Sequence, residues 1–218
     1  MLILYYFLIS FCIIGYGNFL SKFLKINSNN LGELGLLGIS FLIFISYISS
    51  FFIAHNYLFN SIILLFGLVY LILSFKKLNF KKKELIIFFS TFSILILFIM
   101  VGKNHDDFSY YHFPYSIILT EFSHPIGLGL LNNGFRNPSS IFFLNSIFYL
   151  PKIDYYLFHI SSAYFLGFSN IILFKSIISK NYFNLNNKFI NYFSLLSLIF
   201  INVFFYRLAE YGTDRSAQ

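Results

Sequence analysis

Six stretches of this sequence are long, apolar and free of charged side chains, and they constrain the fold more than any other feature. They are residues 2–20, 34–54, 57–75, 85–101, 155–174 and 189–206. A helix needs about 20 predominantly apolar residues to cross the hydrocarbon core of a bilayer. The pattern therefore predicts an all-α fold, a polytopic transmembrane helix bundle with about six spans.

The composition excludes an ordinary soluble domain. Hydrophobic residues make up 58% of the 218 residues and charged residues only 11%, whereas soluble proteins carry about 25% charged residues. The net charge of +7 comes largely from lysines that lie between the apolar stretches, as in membrane proteins. We therefore expect membrane lipid as a partner and no nucleic acid. The single cysteine, Cys12, excludes an internal disulfide.

The lysines also predict the orientation of the chain. Residues 75–83 hold five lysines, and the positive-inside rule places such a loop in the cytoplasm. Alternation across the six spans then places residues 102–138 outside. A seventh apolar run, residues 139–150, is too short to cross and is predicted to be an interfacial or re-entrant helix that lies on or dips into the outer face.

Three regions follow from this topology. Residues 1–101 are predicted to hold four transmembrane helices. Residues 102–154 are predicted to be an extracytoplasmic loop with an acidic motif and the interfacial helix. Residues 155–218 are predicted to hold two further transmembrane helices and an outer polar segment.

The acidic motif reads GKNHDDFSYYHFPY and spans residues 102–115. Its adjacent carboxylates, Asp106 and Asp107, follow a transmembrane helix, where ionised groups are expensive and tend to be functional. We predict that they are catalytic, because a carboxylate in this position is suited to accept a proton from a hydroxyl group. The alternative is structural, with Asn104 or Asp106 capping a helix that begins near Asp107.

Two histidines of this motif, His105 and His112, are predicted to bind substrate. On one straight helix they share a face but stand about 10.5 Å apart along its axis. That separation is too large for one ion with ligand bonds of about 2 Å. We therefore predict no metal site built by the protein alone. A divalent metal ion held by one aspartate and a substrate phosphate remains open as a cofactor.

Arginines and acids recur in two later polar segments. Arg136 lies in the segment 121–140, where it is expected to pair with Asp106 or Asp107 or to bind a phosphate. The segment 207–216 reads RLAEYGTDRS. Its charged residues either pair locally or contact a phosphate or a sugar, and we predict all four as substrate-binding: Arg207, Glu210, Asp214 and Arg215.

The stretch HDDFSYYHFP after a transmembrane helix, followed by a short apolar run, resembles the glycosyltransferase C superfamily. The resemblance implies transfer of a sugar from a polyprenyl-phosphate-linked donor on the outer face of the membrane, with inversion at the sugar carbon. It implies that Asp106 or Asp107 is the general base and that Arg136, Arg207 and Arg215 contact the phosphate of the carrier.

Two further stretches, HPIGLGLLNNGFRNPSS and RLAEYGTDRS, resemble a group of bacterial polytopic membrane proteins of unassigned function. This resemblance implies a multi-pass protein of the bacterial inner membrane. The superfamily usually carries its acidic motif after the first helix, whereas here the motif follows the fourth predicted span. Its members are also usually far longer, so we expect the sequence to be an N-terminal fragment.

Other functions place similar demands on such a sequence. An envelope polysaccharide polymerase or ligase would also gather arginines and acids on the outer face. A transporter is expected to carry ionisable residues near the middle of its spans, and none of the six stretches has a charged residue there. A non-enzymatic membrane protein, in which the loop only folds onto the bilayer, is the remaining alternative.

Overall fold

The computed structural model describes residues 1–26, 28, 30–75, 78, 80–100, 106–178 and 185–204. The helices are α1 (Leu2–Phe23), α2 (Leu31–Ser50), α3 (Tyr57–Ser74), α4 (Lys82–Met100), α5 (Phe113–Glu121), α6 (Ser140–Ile147), α7 (Ser161–Ile178) and α8 (Leu185–Phe204). One π-helical turn and two short 3₁₀ turns lie between α4 and α6. The predicted all-α fold is confirmed, since the described residues form no β-strand.

Four of these helices, α1, α2, α3 and α7, are long and apolar enough to cross a membrane. Helices α4 and α8 coincide with the other two predicted spans. However, α4 begins with three charged side chains, Lys82, Lys83 and Glu84, and the apolar part of α8 is the shorter stretch Lys188–Val203. Six spans therefore remain a prediction.

Helix α7 begins at Ser161, six residues later than the sequence predicts. The preceding residues form turns, with positive φ angles of 68° at Lys152 and 47° at Asp154. A backbone bridge joins Leu150 to Asp154. Residues 155–160 are apolar enough for a span, but they follow these left-handed residues, which an α-helix does not accommodate.

Helix α6 occupies the run that the sequence assigns to an interfacial helix. Seven of its eight residues are buried, and it packs against α2, α5 and α7. Its apolarity therefore serves protein packing on all sides. The prediction of a short helix in this run is confirmed, and its depth relative to the membrane stays a prediction.

Helix α1 lies between α2 and α3 and contacts both very closely. A β-carbon on Gly17 would overlap the carbonyl oxygen of Leu34, and one on Gly38 would overlap that of Ile13. A β-carbon on Gly15 would likewise overlap the carbonyl oxygen of Gly67 in α3. Small residues at helix contacts let backbones approach in this way, which is typical of helices packed within a bilayer.

Residues 106–160, here called the end lobe, cover one end of the bundle. Two backbone hydrogen bonds join the lobe to the α2–α3 turn: His55 N–H donates to the Leu119 carbonyl, and His124 N–H donates to the Ser50 carbonyl, both at 2.8 Å. The opposite end carries the ion pair between Lys175 and Glu84 at 2.8 Å. The polar loop and this ion pair therefore lie at opposite ends of the helices.

Candidate functional site

The acidic motif continues into a π-helical turn, Phe108–His112, which leads directly into α5. Pro114 follows the turn and has no backbone N–H to offer the Tyr110 carbonyl, which a regular α-helix would pair with it. The Tyr110 carbonyl instead accepts a hydrogen bond from the Asn132 side chain at 2.9 Å. Such π turns are rare and occur frequently at functional sites.

Asn132 joins this turn to the loop that carries Arg136. Its amide nitrogen donates to Tyr110, and its amide oxygen accepts from the Gly134 N–H at 2.8 Å. Gly134 lies so close to the turn that an added β-carbon would be 2.7 Å from the Tyr111 β-carbon. One amide side chain and one glycine therefore hold the arginine loop against the acidic turn.

Asp107 and Asp106 differ in their surroundings. The Tyr111 hydroxyl donates to Asp107 Oδ2 at 3.2 Å, and Asp107 is partly buried. Asp106 is exposed. Asp107 directly precedes the turn but makes no side-chain capping hydrogen bond to it. Of the two capping residues expected from the sequence, Asn104 and Asp106, Asn104 lies outside the described residues.

His112 is buried beneath this carboxylate–tyrosine pair. The edge of its ring meets Tyr111, with centroids 4.3 Å apart, and the ring also packs against Phe142 of α6 at 5.4 Å. Arg136 is exposed, and its Cγ lies 3.0 Å from the position that a Gly129 β-carbon would take. The fold thus places the turn that holds Asp107 and His112 against the loop that holds Arg136.

The other predicted site residues lie outside the described residues. They are His105, Arg207, Glu210, Asp214 and Arg215. Within the described part of the chain, no ion pair joins Arg136 to Asp106 or Asp107, and the alternative expected from the sequence, binding of a phosphate, stays a prediction. The described residues also contain no group of three or more His, Cys, Asp or Glu side chains placed to hold a metal ion.

A second polar cluster lies below the lobe and was not predicted as a site. His55, in the α2–α3 turn, is fully buried. Its Nδ1 lies 2.6 Å from the Ser146 hydroxyl of α6, and its Nε2 lies 2.8 Å from the Ser49 hydroxyl of α2. The Ser146 hydroxyl donates to the Phe143 carbonyl at 2.7 Å, whereas the Ser49 hydroxyl lies 3.3 Å from the Ser46 carbonyl. These distances favour the tautomer in which Nδ1–H donates to Ser146 and Nε2 accepts from Ser49.

Asn60 of α3 completes the connection between the bundle and the lobe. Its amide nitrogen, which is fully buried, lies within 2.9 Å of three carbonyl oxygens, those of His55, Ser146 and Tyr149. In the sequence, this cluster is visible only as one histidine and two asparagines in the segment AHNYLFN, residues 54–60. The sequence did not indicate the distant partners, Ser146 and Tyr149, which lie more than 80 residues away.

A third group lies where α3 meets the turns before α7. The Tyr57 hydroxyl donates to the Asp154 carboxylate, and the hydroxyls of Tyr57 and Tyr149 are hydrogen-bonded at 3.0 Å. The two tyrosine rings are stacked with centroids 4.3 Å apart. These contacts fasten the left-handed turn at Asp154 to the beginning of a membrane-length helix.

Comparison with known families shows to which family this sequence belongs. The sequence profile of a family described as a domain of unknown function (DUF8201) matches residues 1–214. The chain belongs to this family. The match includes every helix described above, the end lobe and eight of the nine predicted site residues, all but Arg215, so the arrangement above concerns the DUF8201 region as a whole. No curated protein and no solved structure matches the chain significantly.

The buried His55 is expected to make the stability of this DUF8201 chain depend on pH. Burial lowers the pKa of His55 from 6.5 to about 4. Between these values the unfolded chain binds a proton that the folded chain does not, so stability is full above pH 6.5 and falls as the pH approaches 4. We expect a loss of about 3 kcal/mol across this range, measured by chemical unfolding in detergent.

The control uses asparagine at two histidines. His55→Asn keeps a donor for Ser146 and removes the titrating ring, so it should flatten the pH dependence between 6.5 and 4. His124→Asn changes an exposed histidine whose positive φ of 62° asparagine tolerates, and it should leave the dependence unchanged. Equal pH profiles for the wild-type protein and His55→Asn would contradict the assignment.

Proposed function

We propose that the chain is a multi-pass protein of the bacterial inner membrane, with six crossings and with the end lobe on the outer face. Four helices of membrane-spanning length and polarity support this location. Helices α4 and α8 run alongside α7, which suits two further crossings. The lysines Lys22, Lys25 and Lys175 lie at the end opposite the lobe, where the positive-inside rule expects them in the cytoplasm.

We propose further that the end lobe transfers a sugar from a polyprenyl-phosphate-linked donor to an acceptor hydroxyl. The observation that carries this proposal is the arrangement of Asp107 on the π-helical turn, held by Tyr111 and packed against the Arg136 loop. A general base and a cation for a phosphate leaving group are the two groups that such a reaction needs. The sequence resemblance to the glycosyltransferase C superfamily agrees with this combination of a general base and a cation.

Each residue has a defined role in the proposed reaction. The acceptor oxygen forms a bond to the anomeric carbon while the bond from that carbon to the carrier phosphate breaks, which inverts the configuration. Asp107 takes the acceptor proton, and the leaving phosphate carries away the bonding electrons near Arg136. His112 supports Tyr111 from below. A divalent ion, if the reaction uses one, would lie between one aspartate and the phosphate.

The proposed reaction is tested with the full chain reconstituted in vesicles. Polyprenyl-phosphate hexoses with a labelled sugar serve as donors, and membrane glycolipids or cell-wall glycans serve as acceptors. The expected result is transfer of one labelled sugar with inverted configuration and release of polyprenyl phosphate. Growth of long saccharide chains would support a polymerase or ligase instead. No consumption of any donor would contradict an enzymatic role.

A further inference from the structure

The segment between α5 and the Arg136 loop presents large apolar side chains to the outside of the protein. Residues 122–131 read FSHPIGLGLL and include no acidic residue, lysine or arginine. Four of their side chains are largely exposed: Phe122 by 62%, Ile126 by 72%, Leu130 by 91% and Leu131 by 79%. A folded surface facing water rarely carries so contiguous an apolar patch without a partner.

This apolar loop, residues 122–131, is folded rather than extended. Gly127 takes a left-handed conformation, with φ of 86°, and starts a 3₁₀ turn in which Leu130 N–H donates to the Gly127 carbonyl at 2.9 Å. Leu128 packs against the buried cluster that includes Tyr115 and Phe135. The turn therefore partly buries Leu128 and leaves Leu130 and Leu131 exposed at its tip.

The apolar loop lies beside the C-terminal end of α2, a helix of membrane-spanning length. His124 N–H donates to the Ser50 carbonyl, the last residue of α2, at 2.8 Å. The His124 ring meets Phe51 edge-on at 6.3 Å. Near this end of α2, Ile48 and Phe52 are themselves exposed apolar side chains. The apolar loop thus extends the apolar surface of α2 at the level where α2 ends.

We propose that the apolar loop enters the outer leaflet of the bilayer, with Leu130 and Leu131 among the lipid chains. Lipid fits this surface better than a protein partner, because a protein interface surrounds its apolar centre with a polar rim, and the loop offers only Ser123 and His124 as polar side chains. The inference rests on the membrane orientation proposed above and is independent of sugar transfer.

This location has a consequence for Arg136. The backbone of Arg136 packs against Gly129 of the same loop, directly beside the inserted tip. A guanidinium group beside a loop that reaches the lipid chains lies near the depth of the lipid phosphates, where it forms paired hydrogen bonds with phosphate oxygens. The loop would therefore set the depth at which the candidate site meets a lipid-linked phosphate.

The chain has no tryptophan, so a single introduced tryptophan reports its own surroundings. Leu130→Trp replaces a side chain that is 91% exposed and should not disturb folding. Leu65→Trp, on the exposed face of α3 midway along the helix, is the control within the lipid. Asn137→Trp, at an exposed position beyond the loop and next to Arg136, is the control outside the lipid chains. Each full-length variant is reconstituted in phosphatidylcholine vesicles, with or without brominated acyl chains.

We expect brominated lipid to quench more than half of the Leu130→Trp emission, as it does for Leu65→Trp, and acrylamide in the water to quench Asn137→Trp preferentially. If Leu130→Trp behaves like Asn137→Trp while Leu65→Trp is quenched by lipid, the loop lies outside the lipid chains and the inference is wrong. Protection of Leu130→Trp from both quenchers indicates a protein contact and also overturns it. Failure of Leu65→Trp to respond to lipid would instead overturn the proposed location of the helices in the membrane.

Discussion

Gly38→Ala is expected to lower the free energy of unfolding by about 3 kcal/mol or more, because the added methyl group would overlap a backbone carbonyl that has no room to move. The carbonyl belongs to Ile13 of α1, and Gly17 of α1 makes the reciprocal contact with α2. Relief would require α1 to separate from α2, yet α1 is also held closely against α3 at Gly15 and Gly67. Thermal or chemical unfolding in detergent measures the loss.

The matched control adds a methyl group to the same helix on its outer side. Ser40 is exposed on α2, so Ser40→Thr should change stability by no more than about 0.5 kcal/mol. Gly17→Ala should be as damaging as Gly38→Ala, and the double variant should lose less than the sum of the two, because one separation of the helices relieves both overlaps. A Gly38→Ala protein as stable as Ser40→Thr would show that α1 and α2 pack differently.

Asp107→Asn is expected to lower the rate of sugar transfer by about 10²- to 10⁴-fold, the usual contribution of a general base. The substitution keeps the shape of the side chain and an oxygen that can accept from Tyr111, but it removes the ability to take a proton. Binding of the donor should change much less than the rate. Turnover of a labelled polyprenyl-phosphate hexose by reconstituted protein gives both quantities.

Asp106→Asn is the matched control, since it makes the same change at the neighbouring, exposed carboxylate. We expect its rate to stay within about threefold of the wild-type rate, a difference of less than 1 kcal/mol. The reverse outcome, in which Asp106→Asn is inactive and Asp107→Asn is active, would move the base to Asp106. Unchanged transfer in both variants would remove the general-base role from this motif altogether.

The helical fold could be predicted from the sequence because its signal is local. An apolar stretch such as residues 57–75 must find lipid or protein to bury it, and only a helix satisfies its own backbone hydrogen bonds within lipid. The beginning of α7 was predicted wrongly because this local signal carries no information about contacts elsewhere in the fold. Apolarity favours a helix over residues 155–160, whereas the turn at Asp154, fastened to Tyr57 across the fold, delays the helix to Ser161.

The candidate site was only partly predictable. Adjacent carboxylates beyond an apolar stretch are visible in the sequence, and so is a lone arginine in the following polar segment. The difference between Asp106 and Asp107 is not, because it arises from the π-helical turn and from Tyr111. The contact between the two segments depends on Asn132 and Gly134, which look like ordinary turn residues until the Tyr110 carbonyl and the Tyr111 side chain are placed beside them.

The sequence by itself determined that this chain is helical, apolar over membrane lengths and polar in one long loop, since each of these properties belongs to neighbouring residues. Only the tertiary structure decided which end of the bundle the loop covers and how it is held there. His55 and Ser146 are 91 positions apart, and α6 is buried among α2, α5 and α7, contacts that its own apolar sequence does not indicate. Such contacts depend on the shape of the whole fold, because close packing and buried hydrogen bonds are satisfied only when distant segments meet.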